Sequence, residues 1–245
     1  MALIEKDVVV TTKHGRMPTF AACPDAPGQF PGIILYMDAP GYREELCNQA
    51  RRIAKHGYFC LLPDLYYRYG TVRFDIPRRG EQMSNVIKAA YTSLTNADIT
   101  DDTGGLLAYL DAQDKVTPGP VGCIGHCMSG QFVTTIAARY AHRFAASASL
   151  YGVQIVTDKP DSPHLLVPQI KGEILYCFAE TDPSVPPEVI PTLESALKKA
   201  GVNHRVKIFE GTNHGYTFPE RPSYAPAASE QTWTMLFDLW DRNLK

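Results

Sequence analysis

The chain of 245 residues carries 24 lysine and arginine residues against 26 aspartate and glutamate residues. These charges are spread along the sequence, so the composition lacks the basic surface that nucleic acids and anionic membranes attract, and we expect a small-molecule partner. Chains of this length commonly form one α/β unit, and residues 1–245 are predicted to be a single domain.

The N-terminal segment has no apolar run long enough for a signal peptide, and Glu5, Lys6 and Asp7 stand where that run would lie. No stretch of 18 consecutive apolar residues occurs anywhere in the chain. We therefore expect no membrane span and a cytoplasmic protein.

The six cysteines form no paired framework. Cys60, Cys123 and Cys177 each lie inside an apolar run, where a cysteine usually serves as a small core residue. Cys123 and Cys127 lack the second ligand pair that a metal site of this spacing needs. The sequence thus predicts reduced thiols, no metal and no cofactor.

The first elements predicted in chain order are a hairpin and a buried strand. Residues 7–12 and 18–23 read as two short strands around a His14-Gly15 turn. Residues 32–38, GIILYMD, form a continuous apolar run, which is typical of a strand buried on both faces of a parallel sheet. A helix over 44–56, closed by Gly57, follows.

The same alternation continues to the end of the chain. Its pattern predicts a mainly parallel sheet with helices on both faces, an α/β fold. The remaining predicted strands are 58–63, 121–124, 145–151, 172–179 and 204–210, and the remaining predicted helices are 81–94, 98–112, a helix beginning near Gln131, 187–200 and 227–244.

A motif for covalent chemistry follows the strand at 121–124. Gly125-x-Cys127-x-Ser129 has the spacing of a nucleophile elbow, in which a nucleophile sits on a sharp turn from strand to helix and its neighbours two positions away must be small. The N-terminus of the following helix would favour a thiolate at Cys127. The alternative is a packed strand end with a buried, inert cysteine.

Two later strand ends supply possible partners for Cys127. Asp182 and His214 both follow predicted strands, and reacting groups in parallel sheets gather at such ends. Nucleophile, acid and histidine also occur in the chain order of an α/β-hydrolase. The sequence therefore predicts a Cys127-His214-Asp182 triad, although His214 alone could be a surface histidine and Asp182 alone a turn cap.

An oxyanion hole would need backbone N–H groups beside Cys127. The predicted donors are Met128, which follows the nucleophile, and Ala39, in the loop after the 32–38 strand, since Pro40 has no N–H. His126 is expected to point away from the nucleophile and to serve a structural or pocket-lining role.

Several segments together resemble the dienelactone hydrolase family of α/β-hydrolases. They cover nearly the whole chain: Met37-Asp38-Ala39-Pro40-Gly41, Gly57-Tyr58, Pro63-Asp64-Leu65-Tyr66, Gly125 to Gly130, Tyr151-Gly152, Asp182 to Pro186, and Gly211 to Gly215. The resemblance implies a cofactor-independent carboxylesterase or lactonase, similar to carboxymethylenebutenolidase, that cleaves a small ester or enol-lactone through a thiol acyl-enzyme.

The resemblance also implies substrate contacts. Asp38 matches a glutamate that contacts the resting thiol, Arg78 or Arg79 could match a carboxylate-binding arginine, and Phe218 stands where the family has another arginine. Tyr66, Tyr67, Tyr151 and Phe218 are candidates for an aromatic pocket.

Two alternatives remain open from the sequence. One is a thioesterase, and the other is a ligand-binding protein on a hydrolase scaffold, since a fold does not determine a function. A monomer and a homodimer are equally compatible with the sequence.

Overall fold

The computed structural model describes residues 1–245, which form eight strands and six α-helices. The strands are β1 Leu3–Thr12, β2 Gly15–Pro24, β3 Gly32–Tyr36, β4 Phe59–Pro63, β5 Val121–His126, β6 Phe144–Leu150, β7 Glu173–Thr181 and β8 His204–Asn213. The helices are α1 Glu44–Lys55, α2 Glu81–Thr92, α3 Asn96–Asp111, α4 Ser129–Arg139, α5 Val189–Ala200 and α6 Pro226–Leu244.

The strands form one sheet in the order β1-β2-β4-β3-β5-β6-β7-β8. The N-terminal hairpin is antiparallel, and β2 pairs antiparallel with β4. The pairs β3-β4, β6-β7 and β7-β8 are parallel. The predicted α/β fold with a mainly parallel sheet is confirmed.

The residues group into two compact units, 1–122 and 123–245. The prediction of a single domain over the whole chain stays a prediction. No helix is both long and apolar enough to cross a membrane.

In the unit of residues 1–122, the apolar pattern predicted the elements well. All five residues of β3 are buried, as a strand covered on both faces requires. The third helix differs from prediction because it begins at Asn96, two residues before Asp98. Thr95 is its N-cap, and the Thr95 hydroxyl accepts a hydrogen bond from the N–H of Asp98. The cap residue, rather than the acidic first turn, sets where this helix starts.

In the unit of residues 123–245, β6, β7 and β8 are parallel, and Asp182 and His214 directly follow β7 and β8. Ten of the eleven residues of α4 are buried, which agrees with its apolar and small side chains. The fifth helix ends at Gly201 in the left-handed conformation (φ 67°), as its glycine predicts. The last strand continues to Asn213, three residues beyond its predicted end, and so delivers His214 at its carboxyl end.

Candidate active site

Cys127 occupies a strained turn between β5 and α4. Its φ of 52° lies in the left-handed region that a residue with a Cβ seldom adopts, and such strain is commonly held at functional sites. Three backbone hydrogen bonds of 3.0 Å fix the turn: the Cys127 N–H donates to the Leu150 carbonyl, and the Cys127 carbonyl accepts from the N–H groups of Gly130 and Val153. Cys127 itself is half-buried. The three backbone hydrogen bonds, rather than burial alone, therefore set its position.

The neighbours of this turn must be small. A Cβ on Gly125 would lie 2.8 Å from the Ser129 Cβ, and a Cβ on Gly130 would lie 2.2 Å from the Cα of Gly152. Both distances are too short for real atoms, so these positions admit only glycine without a backbone shift. The small residue at 125 was expected from the elbow spacing, whereas the close approach of Gly130 and Gly152 could not be read from spacing.

His214 and Asp182 are joined at the carboxyl ends of neighbouring strands. The Nδ1 atom of His214 lies 2.6 Å from Oδ2 of Asp182, and the two side chains are 19% and 3% exposed. The other carboxylate oxygen accepts the backbone N–H of Ser184 at 2.9 Å. Because Nδ1 faces a carboxylate, it carries the proton, and Nε2 is the nitrogen left for the thiol.

The Cys127 side chain also acts on the imidazole of His214, because it is one of the causes of the raised pKa of this ring. Burial of the ring opposes its charge, but the hydrogen bonds to Asp182 and Cys127 and the negative charges of these groups outweigh burial. Together they raise the pKa of His214 to about 10. The arrangement therefore favours an imidazolium between two acidic groups, and the three side chains predicted from sequence are brought together.

Tyr151 supports His214 from the side. Its ring packs edge-on against the imidazole, with centroids 5.1 Å apart, and its hydroxyl lies 2.5 Å from the hydroxyl of Thr217. Tyr151 is fully buried and has a positive φ of 37°. The Ser223 hydroxyl donates a 2.9 Å hydrogen bond to the backbone carbonyl of His214. Sequence reasoning missed Thr217 and Ser223, because their contacts with the site depend on how residues 214–225 fold back.

Phe218 and His126 form a buried aromatic contact. Their ring centroids are 5.0 Å apart, and both side chains are fully buried. The guanidinium carbon of Arg221 lies 4.7 Å from the Phe218 ring centroid. The burial of His126 agrees with a structural role, one of the two roles predicted for it. Substrate contact by Phe218 and Tyr151 stays a prediction that their burial does not favour.

The other two predicted substrate contacts lie in the unit of residues 1–122. Asp38 is completely buried, and its two carboxylate oxygens bind the guanidinium of Arg43 at 2.5 and 3.1 Å. Arg79 is exposed and bonds the Ser84 hydroxyl at 2.9 Å. The structure thus assigns Asp38 an ion-pair partner, Arg43, that the sequence did not single out.

The two predicted oxyanion donors lie in different segments. Met128 is the N-cap residue of α4, where the helix dipole is positive. Ala39 is buried, and its carbonyl accepts a 2.6 Å hydrogen bond from the Tyr66 hydroxyl. Tyr66 is itself fully buried, so it holds the loop after β3 rather than presenting an exposed face.

The other cysteines behave as core residues. All six cysteines are free thiols, and only Cys127 is not buried. Burial raises the pKa of Cys123 and of Cys177 to about 12. The predicted core role of Cys60, Cys123 and Cys177 is confirmed, and Cys127 is the one thiol that the fold leaves accessible.

Comparisons with known proteins identify the family of this chain. The model of the dienelactone hydrolase family matches residues 17–244. A Synechocystis protein named "Putative carboxymethylenebutenolidase" is 28% identical over 97% of this chain and 96% of its own length. A Methylorubrum extorquens protein of the same name is 25% identical over 98% of this chain and 81% of its own length.

A solved structure shows the same fold. The crystal structure named "Putative Dienelactone Hydrolase" from Klebsiella pneumoniae superposes with a TM-score of 0.88 at 20% identity, covering 99% of this chain and 100% of the other.

Proposed function

Because this chain belongs to the dienelactone hydrolase family, we propose that it hydrolyses a small ester or enol-lactone through a Cys-His-Asp triad and a thiol acyl-enzyme. The observation that carries the proposal is the 2.6 Å contact between His214 and Asp182, together with the strained turn before α4 that holds Cys127, a group that helps raise the pKa of His214. A nucleophile, a base and a group that orients the base are the parts that covalent hydrolysis needs.

The first half of the reaction uses the charged form of His214. With its pKa raised, the imidazole keeps a proton near neutral pH, and the proposed nucleophile beside it is the thiolate form of Cys127. The thiolate attacks the ester carbonyl, and the imidazolium then protonates the departing alkoxide as the C–O bond breaks. The products of this step are a thioester on Cys127, a neutral imidazole and the alcohol or enol.

The second half of the reaction uses the neutral form. Acylation removes the negative charge of the Cys127 sulfur, which is one of the causes of the raised pKa of His214. The pKa of the imidazole therefore falls at this stage, and the ring becomes able to accept a proton from water. Water gives a proton to Nε2 and attacks the thioester carbonyl. The C–S bond then breaks with its electron pair going to sulfur, which releases the acid and restores the thiolate and the imidazolium. Asp182 keeps Nδ1 protonated throughout, so Nε2 carries the exchange.

Met128 at the N-terminal end of α4 supports stabilisation of the oxyanion. It is the N-cap residue of this helix, and the dipole at a helix N-terminus favours negative charge. The N–H of Ala39 as a second donor remains a prediction from sequence.

The proposal is tested with a panel of activated esters and small lactones that includes dienelactone. Wild type is compared with Cys127→Ala, and with Asp158→Ala, an exposed substitution outside the site, as the matched control. We expect turnover by wild type and the control, loss of turnover in Cys127→Ala, and an adduct of one acyl group on Cys127 by mass spectrometry of a quenched reaction.

Three outcomes would overturn the proposal. Equal turnover in wild type and Cys127→Ala would remove Cys127 as the nucleophile. Inactivity of wild type toward every oxygen ester, with activity toward acyl thioesters instead, would favour a thioesterase. Binding of the panel members without any turnover would favour a ligand-binding protein.

A further inference from the structure

A cavity of about 280 Å³ opens in the unit of residues 1–122. Its walls come from β1, β2 and β4, from the C-terminal end of α3, and from the three residues Gln113, Asp114 and Lys115 beyond it. None of the three side chains of the proposed triad lines it. The cavity is therefore a feature that ester hydrolysis does not explain.

The register of the N-terminal hairpin creates this space. Ile4 pairs with Cys23 and Lys6 pairs with Ala21, so these four side chains lie on one face of the hairpin. Two of them, Ala21 and Cys23, are small, and both are buried. The small side chains of Ala21 and Cys23 leave space beside the longer side chains of Ile4 and Lys6. Tyr109 of α3 also lines this space.

The cavity lining includes apolar and aromatic side chains. Ala21, Ala22 and Phe59 are all nearly inaccessible to solvent, and the half-buried ring of Tyr109 adds a second aromatic wall. Flat apolar groups pack well against such rings. The volume lies just below the usual range for drug-sized ligands, which points to a smaller molecule.

The charged groups lining the cavity favour an anion. Lys6 and Lys115 line it together with one acidic residue, Asp114. The Lys115 ammonium is held in place, since it donates to the Ala26 carbonyl at 2.8 Å and lies 5.8 Å from the Phe30 ring centroid. An ammonium fixed by one carbonyl still has donors for a second partner.

The thiol of Cys23, in the cavity wall, lies within reach of the charges of both lysines. Burial, the largest influence, raises the pKa of this thiol, while the charges of Lys115 and Lys6 lower it and that of Asp25 raises it. Both lysines therefore act on a group in the cavity wall, and Asp25 is the acidic residue that opposes them.

We propose that this cavity is a second binding site, and that it takes a small carboxylate with a flat apolar body, such as an aromatic monocarboxylate. The carboxylate bonds the ammonium groups of Lys115 and Lys6, and the ring lies against Ala21, Phe59 and Tyr109. An inorganic anion would leave the apolar side chains uncovered, and a neutral aromatic would leave the lysine charges without a partner.

The probe for this site is benzoate, titrated into the full-length ¹⁵N-labelled protein and followed by amide chemical shifts. We expect saturable shifts at Cys23, Tyr109 and Lys115, with a dissociation constant on the order of 1 mM for so small a ligand. The same shifts should appear in Cys127→Ala, because the cavity does not use the nucleophile. Benzamide, which has the same shape without the charge, should bind about tenfold more weakly or not at all.

Two variants and one control complete the test. Lys115→Met should weaken benzoate binding about tenfold or more, and Cys23→Leu, which fills the space without changing charge, should abolish it. Lys171→Met, at an exposed position outside the cavity, should leave it unchanged. Shifts confined to residues around Cys127, equal binding of benzamide, or an affinity that neither variant changes would each overturn the proposal.

Discussion

The hydroxyl groups of Tyr151 and Thr217 lie 2.5 Å apart in the buried interior, and the ring of Tyr151 stacks edge-on against His214. Tyr151 also follows Leu150, whose carbonyl accepts the N–H of Cys127. Tyr151 thus packs against His214 through its side chain, and its backbone adjoins Leu150, which binds the N–H of Cys127. Its burial indicates that it positions His214, which is a different role from the substrate contact predicted for it from the sequence.

Removing the Tyr151 hydroxyl tests this positioning role. Tyr151→Phe leaves the ring but deprives a buried Thr217 hydroxyl of its partner, so we expect a loss of about 1–3 kcal/mol in the free energy of unfolding, measured with urea. The double variant Tyr151→Phe/Thr217→Val removes both partners and should recover part of this loss. If the losses in Tyr151→Phe and in Thr217→Val alone add up to the loss in the double variant, the two hydroxyls do not interact.

Asp182→Asn tests the orientation of the base. The amide can hold His214 in the wrong tautomer, so we expect kcat/KM for the best panel substrate to fall by about 10²- to 10⁴-fold. The readout is steady-state kinetics together with a circular dichroism spectrum that matches wild type. A fall of less than threefold would mean that His214 does not depend on Asp182.

The raised pKa of His214 predicts a pH-dependent stability. Since the pKa in the folded protein, about 10, lies above the ordinary value of 6.5, this group stabilises the fold fully below pH 6.5. The contribution is lost as pH rises through about 10, because the unfolded protein gives up its proton first. We expect the free energy of unfolding of wild type to fall between pH 6.5 and 10 more steeply than that of His214→Gln. If the free energies of unfolding of the two proteins changed in parallel with pH, the raised pKa of His214 would be contradicted.

The raised pKa of His214 should depend on Cys127. In Cys127→Ala the imidazole loses one hydrogen-bond partner and one negative charge, so its pKa should move down from about 10. The Hε1 resonance of His214, followed by NMR across pH 5–11, measures both values. An unchanged pKa in the variant would place the whole effect on Asp182.

Gly125→Ala tests the close packing of the elbow. The new methyl group would meet Ser129 and Val133 at 2.8 Å, so we expect a loss of about 1–3 kcal/mol in stability and a fall in turnover as the turn shifts. Gly80→Ala is the matched control, because its added Cβ would meet nothing within 4 Å and its φ is −118°. Similar unfolding curves for the two variants would show that the elbow has room to relax.

Arg43→Met tests the buried ion pair with Asp38. The side chains are 9% and 0% exposed, so the change leaves a buried carboxylate without its counter-charge and should cost about 3–5 kcal/mol. Asp38→Asn/Arg43→Met should cost less, because no buried charge remains. Arg78→Met, which breaks a largely exposed pair with Asp75, is the control and should change stability little.

Much of the fold followed from local patterns in the sequence. Continuous apolar runs predicted β3 and β4, and the glycine after the fifth helix predicted its end. The start of the third helix was predicted two residues late, since the capping hydrogen bond of Thr95 outweighed the acidic first turn. Element ends depend on single hydrogen bonds, which apolar periodicity does not encode.

The sequence by itself determined the elbow, the chain order of Cys127, Asp182 and His214, and the strands that end beside them, because spacing and strand periodicity are local properties of the chain. Only the tertiary structure decided which groups surround those residues. The 2.6 Å contact between Asp182 and His214 and the packing of Tyr151 join residues more than 30 positions apart. The ion pair of Asp38 with Arg43 is close in sequence, yet burial gives it its energetic weight, and burial is set by the packing of the whole chain.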